Sequence, residues 1–374
     1  MTTFHLDDSE GPGTHVFIVG VGDYFHLKDG AKKLTRQPMG MGQLSSPPLS
    51  ALKLLEWFDR ELNNPKAPLK SIEVLISQRQ AASYTDMANA TAEIEGATLD
   101  NFISSAEAWF ARANSDPDNV AIFYFCGHGL NDGLNTQLLL SDYGRDDRAM
   151  RHAINLSGFR LSMGSCLAKK QLFLIDACRI IDPTLILDPN QLGDPGLRPG
   201  NITKMNATSP VIYAARTGEQ AFGPIDGVSY FAEALLQGLS KCGVHHWKGA
   251  SWVVTPLHLQ LALAGLLDDL SGKPACPVDG LVGTGFEVHH LKAAPEVAVL
   301  VTLNPSASHE EALIRATCSG VPHTRTNQEH PWRTFLPIGP CDVDAIFPAA
   351  AKFTAAPRSL QLHPPWQEIE LEVT

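Results

Sequence analysis

A histidine between two glycines and a cysteine followed by an arginine are the residues of this sequence best suited to chemistry. His128 lies in Gly127-His128-Gly129, and Cys178-Arg179 follows fifty residues later. A thiol attacks only as its thiolate, so a catalytic cysteine needs a base nearby and a position that substrate can reach. Glycines beside the histidine leave room for a substrate backbone. The pair therefore predicts nucleophilic catalysis by a thiol.

Each residue taken alone has a structural alternative. A single buried cysteine is usually part of a core, and a histidine between glycines is often a turn residue. Cys126 is the nearest rival nucleophile, but it ends an apolar run and is expected in the core or in a pocket wall. The order, the spacing and the strand context of His128 and Cys178 together favour the catalytic interpretation.

Both residues come directly after apolar runs that predict buried strands, at 119–126 and 171–177. Similar runs and amphipathic stretches alternate along the chain, with strands expected at 15–22, 71–77 and 210–215 and helices at 48–62, 98–113 and 230–239. This alternation predicts an α/β fold with a mostly parallel sheet covered by helices on both sides. Chemistry in such sheets collects at the carboxyl ends of the strands, where both candidate residues fall.

The two motifs resemble those of the caspase, metacaspase and CHAT peptidases. The histidine motif is Tyr124-Phe125-Cys126-Gly127-His128-Gly129, and the cysteine motif is Leu174-Ile175-Asp176-Ala177-Cys178-Arg179. Segments 211–215, 219–221 and 229–236 are similar to the fifth strand and following helix of that family. The resemblance covers about residues 14–242. It implies a caspase-like three-layer sandwich, as in a prokaryotic caspase-like protein.

The resemblance also implies roles for individual residues. Cys178 is the expected nucleophile, and His128 is the acid that protonates the leaving amine. The backbone N–H groups of Gly129 and Cys178 are the expected oxyanion hole. Losing one oxyanion donor in such a site costs about 10²- to 10³-fold in rate.

Asp176 is the candidate for substrate specificity, with Cys126 beside it. Strand alternation puts the side chains of Asp176 and Cys178 on one face. In metacaspase-like relatives an aspartate here favours arginine or lysine before the scissile bond. A carboxylate that caps a loop N–H is the alternative role. Those relatives often carry a second acid at the start of the first helix, where this sequence has Ser46, Pro47 and Ser50.

The chain is expected to have three parts: a tail at 1–13, a peptidase domain at 14–290 and a small β-rich C-terminal domain at 291–374. Prolines and short strand-like runs past residue 290 indicate the last part. The stretch 179–209 is rich in turn residues and predicts a long exposed loop. We expect this loop to be the most protease-sensitive internal segment and a candidate for self-processing.

Composition argues against several classes of partner. The formal charge of −11 and the pI near 5.7 disfavour nucleic acid and anionic membranes. The N-terminal residues lack the pattern of a signal peptide, and no apolar run approaches a membrane span, so a cytoplasmic location is expected. The expected partner is a protein substrate, with activation by a second protein, by calcium or by cleavage left open.

No cofactor or metal is expected. The seven cysteines are odd in number and irregularly spaced, so no disulfide framework is expected. A zinc set of Cys242, His245, His246 and Cys276 matches no finger or ribbon spacing. Gly20-Val21-Gly22 fails as a nucleotide-binding loop because Phe25 replaces its third glycine. The alternative to an endopeptidase is a catalytically silent caspase-like scaffold that binds a partner through 291–374.

Overall fold

The computed structural model describes most of the chain. The described residues are 2–36, 38–132, 135–146, 148–181, 192–198, 209–221, 223–246, 251–270, 279–281, 285–325 and 331–374. Most of the loop predicted at 179–209 lies outside them. Contacts divide the chain into two compact units, Met1–Leu236 with Leu267–His289 and Gln237–Leu266 with His290–Thr374. The domain limits inferred from the sequence stay predictions.

The first unit contains a seven-stranded sheet in the order β1-β3-β2-β6-β10-β12-β15. Its strands are β1 (Thr2–Phe4), β2 (Thr14–Val21), β3 (Leu69–Ser77), β6 (Val120–Gly127), β10 (Lys170–Ala177), β12 (Val211–Tyr213) and β15 (Asp279–Leu281). The edge strands β1 and β15 are antiparallel to their neighbours, and the five inner strands are parallel. The mostly parallel α/β sheet predicted from the sequence is therefore confirmed, with an additional strand inside the predicted tail.

Helices cover both faces of this sheet, which is why its inner strands are buried on consecutive residues. They are α1 (Ser46–Glu61), α2 (Leu99–Ala113), α3 (Leu156–Met163) and α4 (Tyr230–Gln237). Prolines occupy the first turn of α1, where their missing N–H groups cost nothing. Thr98 caps α2 by accepting a hydrogen bond from the Asn101 backbone N–H.

The two faces of the sheet differ in chemistry. Against α2 and α3 lies an aromatic core in which Phe123 contacts Trp109, Phe159 and Phe173 at ring-centroid distances of 5.1–6.3 Å. On the other face α1 packs close to β2, since a Cβ on Gly20 would lie 2.6 Å from the Ala51 Cβ. Strand alternation therefore sends odd-numbered residues of β6 and β10 into the aromatic core and even-numbered ones toward α1.

Shorter strands occupy the excursions between the main elements. They are β4 (Ala82–Thr85), β5 (Thr91–Ile94), β7 (Gly129–Asn131), β8 (Thr136–Leu139), β9 (Ala153–Asn155) and β11 (Ile180–Ile181). β4 and β5 form a hairpin, and the others form a small sheet in the order β11-β7-β8-β9. This small sheet starts directly after His128.

The second unit combines a helical part with a β-sandwich. Its first elements are a π-helix (Gly238–Cys242), β13 (Val244–His246), β14 (Trp252–Val254), the first part of α5 (Pro256–Leu270) and the end of β16 (His289–His290). The sandwich consists of β17 (Glu296–Asn304), β18 (Leu313–Cys318), β19 (Val321–Thr324), β20 (Trp332–Pro337), β21 (Gly339–Ile346), β22 (Arg358–Leu362) and β23 (Trp366–Glu372). These strands confirm the predicted β-rich C-terminal region.

One expectation about the cysteines was wrong. Cys318 and Cys341 form a disulfide between directly opposed positions of β18 and β21. Opposed residues of an antiparallel pair bring their Cβ atoms close enough for such a bridge, which irregular spacing along the sequence does not reveal. Cys126 is buried, as expected. Cys166 and Cys242 are also buried thiols, and Cys178 is partly exposed.

Candidate active site

Strand register brings the histidine and cysteine motifs side by side. β6 and β10 are adjacent and parallel, with Cys126 opposite Asp176 and Gly127 opposite Ala177. His128 and Cys178 each follow one residue later, so both lie at the carboxyl edge of the sheet, and both are partly exposed. This is the placement that the sequence predicted.

His128 is held at its backbone and at its ring. Its backbone N–H donates to the Tyr24 hydroxyl oxygen at 2.7 Å, and the two rings lie 4.8 Å apart between centroids. Its Nε2 lies 2.8 Å from the Gly42 carbonyl oxygen, an acceptor, so Nε2 carries the proton. The lone pair of the neutral ring is then on Nδ1. Burial lowers the pKa of His128, and the bond to Gly42 partly opposes that shift.

Cys178 lies against the segment that follows β12. Its Sγ is 3.7 Å from the Ala221 carbonyl oxygen, and the next residue bonds the same segment through Arg179 N–H to Glu219 O at 2.9 Å. Burial raises the pKa of the Cys178 thiol, the Ala221 bond lowers it, and the Asp176 charge raises it further. The thiol is therefore neutral near pH 7 in this arrangement.

The two glycines around His128 are required by close contacts. A Cβ on Gly127 would lie 2.7 Å from the Tyr24 hydroxyl oxygen, which explains how the phenol reaches the His128 backbone. A Cβ on Gly129 would lie 2.4 Å from the Cys178 carbonyl oxygen and 3.0 Å from the Ala177 Cβ. The backbone of residue 129 therefore packs directly on the backbone that carries the thiol.

Asp176 is 3% exposed and lies on the face that β10 turns toward α1. Its Oδ2 accepts from the Tyr124 hydroxyl at 2.9 Å and from the Ser229 hydroxyl, and the Cys126 thiol is a further partner. Burial raises the pKa of Asp176, whereas its bonds to Ser229, Cys126 and Tyr124 lower it. Asp176 and Cys126 are thus in contact and buried, near the carboxyl ends of β10 and β6.

A cavity of about 810 Å³ opens at the same edge of the sheet. It lies at the ends of β2 and β3, and its lining includes Asp23, Gln43, Leu44, Ser45, Pro48 and Asp226. Gln43 follows Gly42, whose carbonyl contacts His128, so the cavity borders the candidate catalytic residues. Its size is within the range of side-chain and ligand pockets.

Sequence reasoning missed Tyr24, Gly42 and Gln43. Tyr24 follows the first main strand, where Gly20-Val21-Gly22 was considered only as a nucleotide-binding loop. Gly42 and Gln43 lie in a loop with no periodic pattern. The partner of the His128 ring is the Gly42 backbone carbonyl. Every residue has a backbone carbonyl, so the sequence does not indicate which one bonds the histidine.

Among the described residues, no three His, Cys, Asp or Glu side chains are grouped as a metal site. Cys276 of the weighed zinc set lies outside those residues. In the same part of the chain, no helix is both long enough and apolar enough to cross a membrane.

Comparison with known proteins decides the family. The profile of the caspase domain matches residues 61–250, half of the chain, and this range contains both motifs. The chain belongs to the caspase-domain family. The caspase-like resemblance inferred from the sequence is thereby confirmed.

Two further similarities accompany this caspase domain. An uncharacterized protein, y4kE, of Sinorhizobium fredii is 31% identical over 219 residues, which are 56% of this chain and 60% of that protein. The chain thus spans less than two thirds of that relative. The crystal structure of caspase-1 from Spodoptera frugiperda aligns with a TM-score of 0.42 and 11% identity, over 76% of this chain and 92% of that one.

Proposed function

We propose that the protein is a cysteine endopeptidase in which Cys178 and His128 form the catalytic dyad. The observation that carries this proposal is the register of β6 and β10. Gly127 and Ala177 are directly opposed, and His128 and Cys178 are the residues that follow them. Membership of the caspase-domain family supports the reaction class and a protein substrate. The partial exposure of both side chains gives substrate access.

The reaction divides into acylation of Cys178, which releases the amine, and hydrolysis of the resulting thioester. His128 Nδ1 accepts the Cys178 proton, the sulfur bonds to the scissile carbonyl carbon, and the carbonyl oxygen takes the negative charge. The backbone N–H groups of Gly129 and Cys178 are assigned to that oxyanion. His128 then protonates the leaving amine as the C–N bond breaks. Water, deprotonated by His128, finally hydrolyses the thioester and returns the thiol.

We assign the basic specificity to Asp176, with Cys126 in the pocket wall. Burial raises the pKa of Asp176, so its carboxyl group becomes charged at a higher pH than that of an exposed aspartate. A guanidinium or ammonium group of the substrate would pair with that carboxylate in place of hydroxyl donors. Charge-assisted bonds of about 1.5–3 kcal/mol correspond to roughly ten- to a hundredfold selectivity. Arginine should exceed lysine because its planar fork bonds both carboxylate oxygens.

The dyad is tested with peptide substrates and three variants. Cys178→Ala and His128→Ala should each lower kcat by about 10⁴- to 10⁶-fold and remain folded. Cys166→Ala is the matched control, since this buried cysteine precedes the amino end of β10, at the opposite edge of the sheet. An electrophilic peptide should label Cys178. Near-normal turnover in either dyad variant would contradict the dyad assignment. An unlabelled Cys178, in a wild-type protein that cleaves no peptide, would support the silent scaffold instead.

The specificity is tested by comparing arginine, lysine, aspartate and leucine substrates across pH. The rate ratio of arginine to leucine should rise with pH in the wild type, because ionisation of Asp176 creates the charge that binds arginine. Asp176→Asn should make the ratio small and independent of pH. A variant that is merely less stable, with its substrate preference intact, would assign Asp176 a structural role. The same assay with calcium and with a chelator tests the activating signal.

A further inference from the structure

The side-chain carboxamide of Gln43 joins the segment after β2 to the segment before α1. Gln43 Oε1 accepts from the Tyr24 backbone N–H at 2.7 Å. Its Nε2 donates to the Tyr24 carbonyl at 3.1 Å and to the Lys28 carbonyl at 2.8 Å. The side chain therefore bonds both the N–H and the carbonyl of Tyr24. These two bonds fix the position of Tyr24 relative to Gln43.

The two residues joined by this carboxamide are the ones that hold His128. Tyr24 accepts from the His128 backbone N–H, and Gly42, adjacent to Gln43, accepts from His128 Nε2. The path from Tyr24 through Gln43 and Gly42 to His128 and back to the Tyr24 hydroxyl is a closed ring of contacts. We call it the Tyr24–Gln43 clamp.

Other bonds anchor the clamp to the sheet. Leu44 N–H donates to the Gly22 carbonyl at 2.9 Å, so the chain is fixed to the end of β2 just after Gln43. Tyr24 is fully buried, and burial holds its pKa well above the ordinary value, so its hydroxyl stays neutral. The phenol oxygen thus acts as a neutral acceptor throughout the working pH range.

The orientation of His128 depends on the Gly42 carbonyl being in place. With that acceptor present the neutral imidazole carries its proton on Nε2 and its lone pair on Nδ1. Without it, nothing in the clamp favours this tautomer over the other. A wrong tautomer removes the base that the thiol needs.

We propose that Gln43 is a positioning residue that fixes the tautomer and orientation of His128 through the Gly42 carbonyl and Tyr24. The expected loss of kcat rests on the proposed dyad. The expected change in the His128 tautomer does not depend on the dyad. Misplacing a catalytic group by about 1 Å costs on the order of 10²-fold in rate. The loss should fall on kcat, because Gln43 acts on the proton transfer rather than on substrate binding.

Two variants separate the parts of the clamp. Gln43→Glu keeps an acceptor for the Tyr24 N–H and loses both donors, whereas Gln43→Leu loses all three bonds at similar size. We expect kcat to fall by about 10- to 100-fold, more for Gln43→Leu, with KM changed by less than about threefold. Gln367→Leu is the matched control, because the Gln367 carboxamide also accepts from one backbone N–H and donates to one backbone carbonyl but has no place in the clamp.

The decisive readout is the tautomer, measured by side-chain ¹⁵N spectra of histidine-labelled protein, with the His128 signals assigned from their loss in His128→Ala. The wild type and Gln367→Leu should show the Nε2–H form, and Gln43→Leu a mixture with Nδ1–H. An Nδ1–H form in the wild type, or an unchanged tautomer in Gln43→Leu, would overturn the proposal. A lower melting temperature with an unchanged tautomer would do the same. If the wild type cleaved no peptide, the dyad assignment would fail while the spectra still decided the role of Gln43.

Discussion

Burial shifts the pKa values of the two candidate catalytic groups in directions that keep both uncharged. The His128 pKa is lowered and the Cys178 pKa is raised. The site is therefore a neutral thiol and a neutral imidazole, rather than a preformed thiolate–imidazolium pair. Proton transfer between them must accompany the attack on substrate.

This neutral state predicts how Cys178 reacts with a small electrophile. The rate of alkylation by iodoacetamide should keep rising with pH beyond about 8.5, the ordinary pKa of a thiol, because the thiolate fraction grows only there. Mass spectrometry of the peptide containing Cys178 measures the rate, with Cys166 as the buried comparison. A plateau that begins near pH 6 would show an ion pair and contradict the neutral state.

Gly129 gives a second prediction at this scale. Gly129→Ala places a Cβ 2.4 Å from the Cys178 carbonyl oxygen, so one of the two backbones must move. Because both carry the N–H groups assigned to the oxyanion, kcat should fall by about 10²- to 10³-fold. Gly96→Ala is the control, since its Cβ would meet only the Ser77 Oγ at 3.4 Å. Equal kcat values for the two variants would remove Gly129 from the oxyanion hole.

Among the elements, Asn119 ties the start of β6 to its neighbours. It is fully buried; its Oδ1 accepts from Gly13 N–H at 2.7 Å, and its Nδ2 donates to Arg112 O, Ala113 O and Ser115 Oγ at 3.1–3.2 Å. The side chain thus closes the end of α2 and fixes the entry of β2. All of its contacts lie at the sheet edge opposite the candidate active site.

Asn119→Ala should lower the free energy of unfolding by about 2–4 kcal/mol, because several buried polar groups lose their partner at once. Urea unfolding measures this loss. Ser115→Ala removes only one of the contacts and should cost about 1 kcal/mol. Under native conditions kcat should be unchanged, since the ladder between β6 and β10 remains. A loss of kcat without a loss of stability would show coupling between the two edges of the sheet.

The main strands and helices were predictable because their apolar patterns are long. β2, β6 and β10 lie within about one residue of the expected runs, and α1 begins two residues before the helix expected at 48–62. The hairpin of β4 and β5 was missed because half of the residues in its four-residue strands are exposed and the strands show no apolar alternation. The short α3, whose start is marked by its cap residue Asn155, was missed as well.

The candidate site was predictable only in part, for a related reason. His128, Cys178, Cys126 and Asp176 belong to strands or to their ends, so strand periodicity locates them. The Tyr24–Gln43 clamp depends on how a loop of more than twenty residues folds back on the sheet. Side-chain to backbone bonds of that kind have no periodic signature.

For the molecule as a whole, the amino edge of the sheet holds two buried titrating groups. His15 has a pKa lowered to about 4 by burial and by Lys70 and Arg112. Glu73 has a pKa raised to about 7 by burial, against the attraction of Arg112. Ser71 links them, with its Oγ 3.0 Å from His15 Nδ1 and 3.4 Å from Glu73 Oε2.

These two groups should act on stability with opposite signs. Between pH 4 and 6.5 the unfolded histidine binds a proton that the folded one does not, so the His15 contribution grows as pH rises. Between pH 4.5 and 7 the folded Glu73 keeps a proton that the unfolded one has lost, so its contribution shrinks as pH rises. Where the ranges overlap, the two slopes oppose each other.

Single substitutions should expose each slope. Glu73→Gln should give stability that rises between pH 4 and 6.5, and His15→Gln stability that falls between pH 4.5 and 7, each by at most about 1.4 kcal/mol per pH unit. Denaturant unfolding at several pH values measures both. Parallel profiles for the two variants and the wild type would show that neither group titrates as described.

The excursion between Gly127 and Lys170 carries β7, β8, β9 and α3, and the chain leaves and re-enters the sheet at neighbouring strands. The pairing of β6 with β10 places His128 next to Cys178. This placement does not depend on how many residues the excursion contains. Beyond Gly129, insertions and deletions can therefore accumulate over evolutionary time without touching the chemistry. Distant kin are therefore better sought by the pairing of two strand ends than by a count of fifty residues.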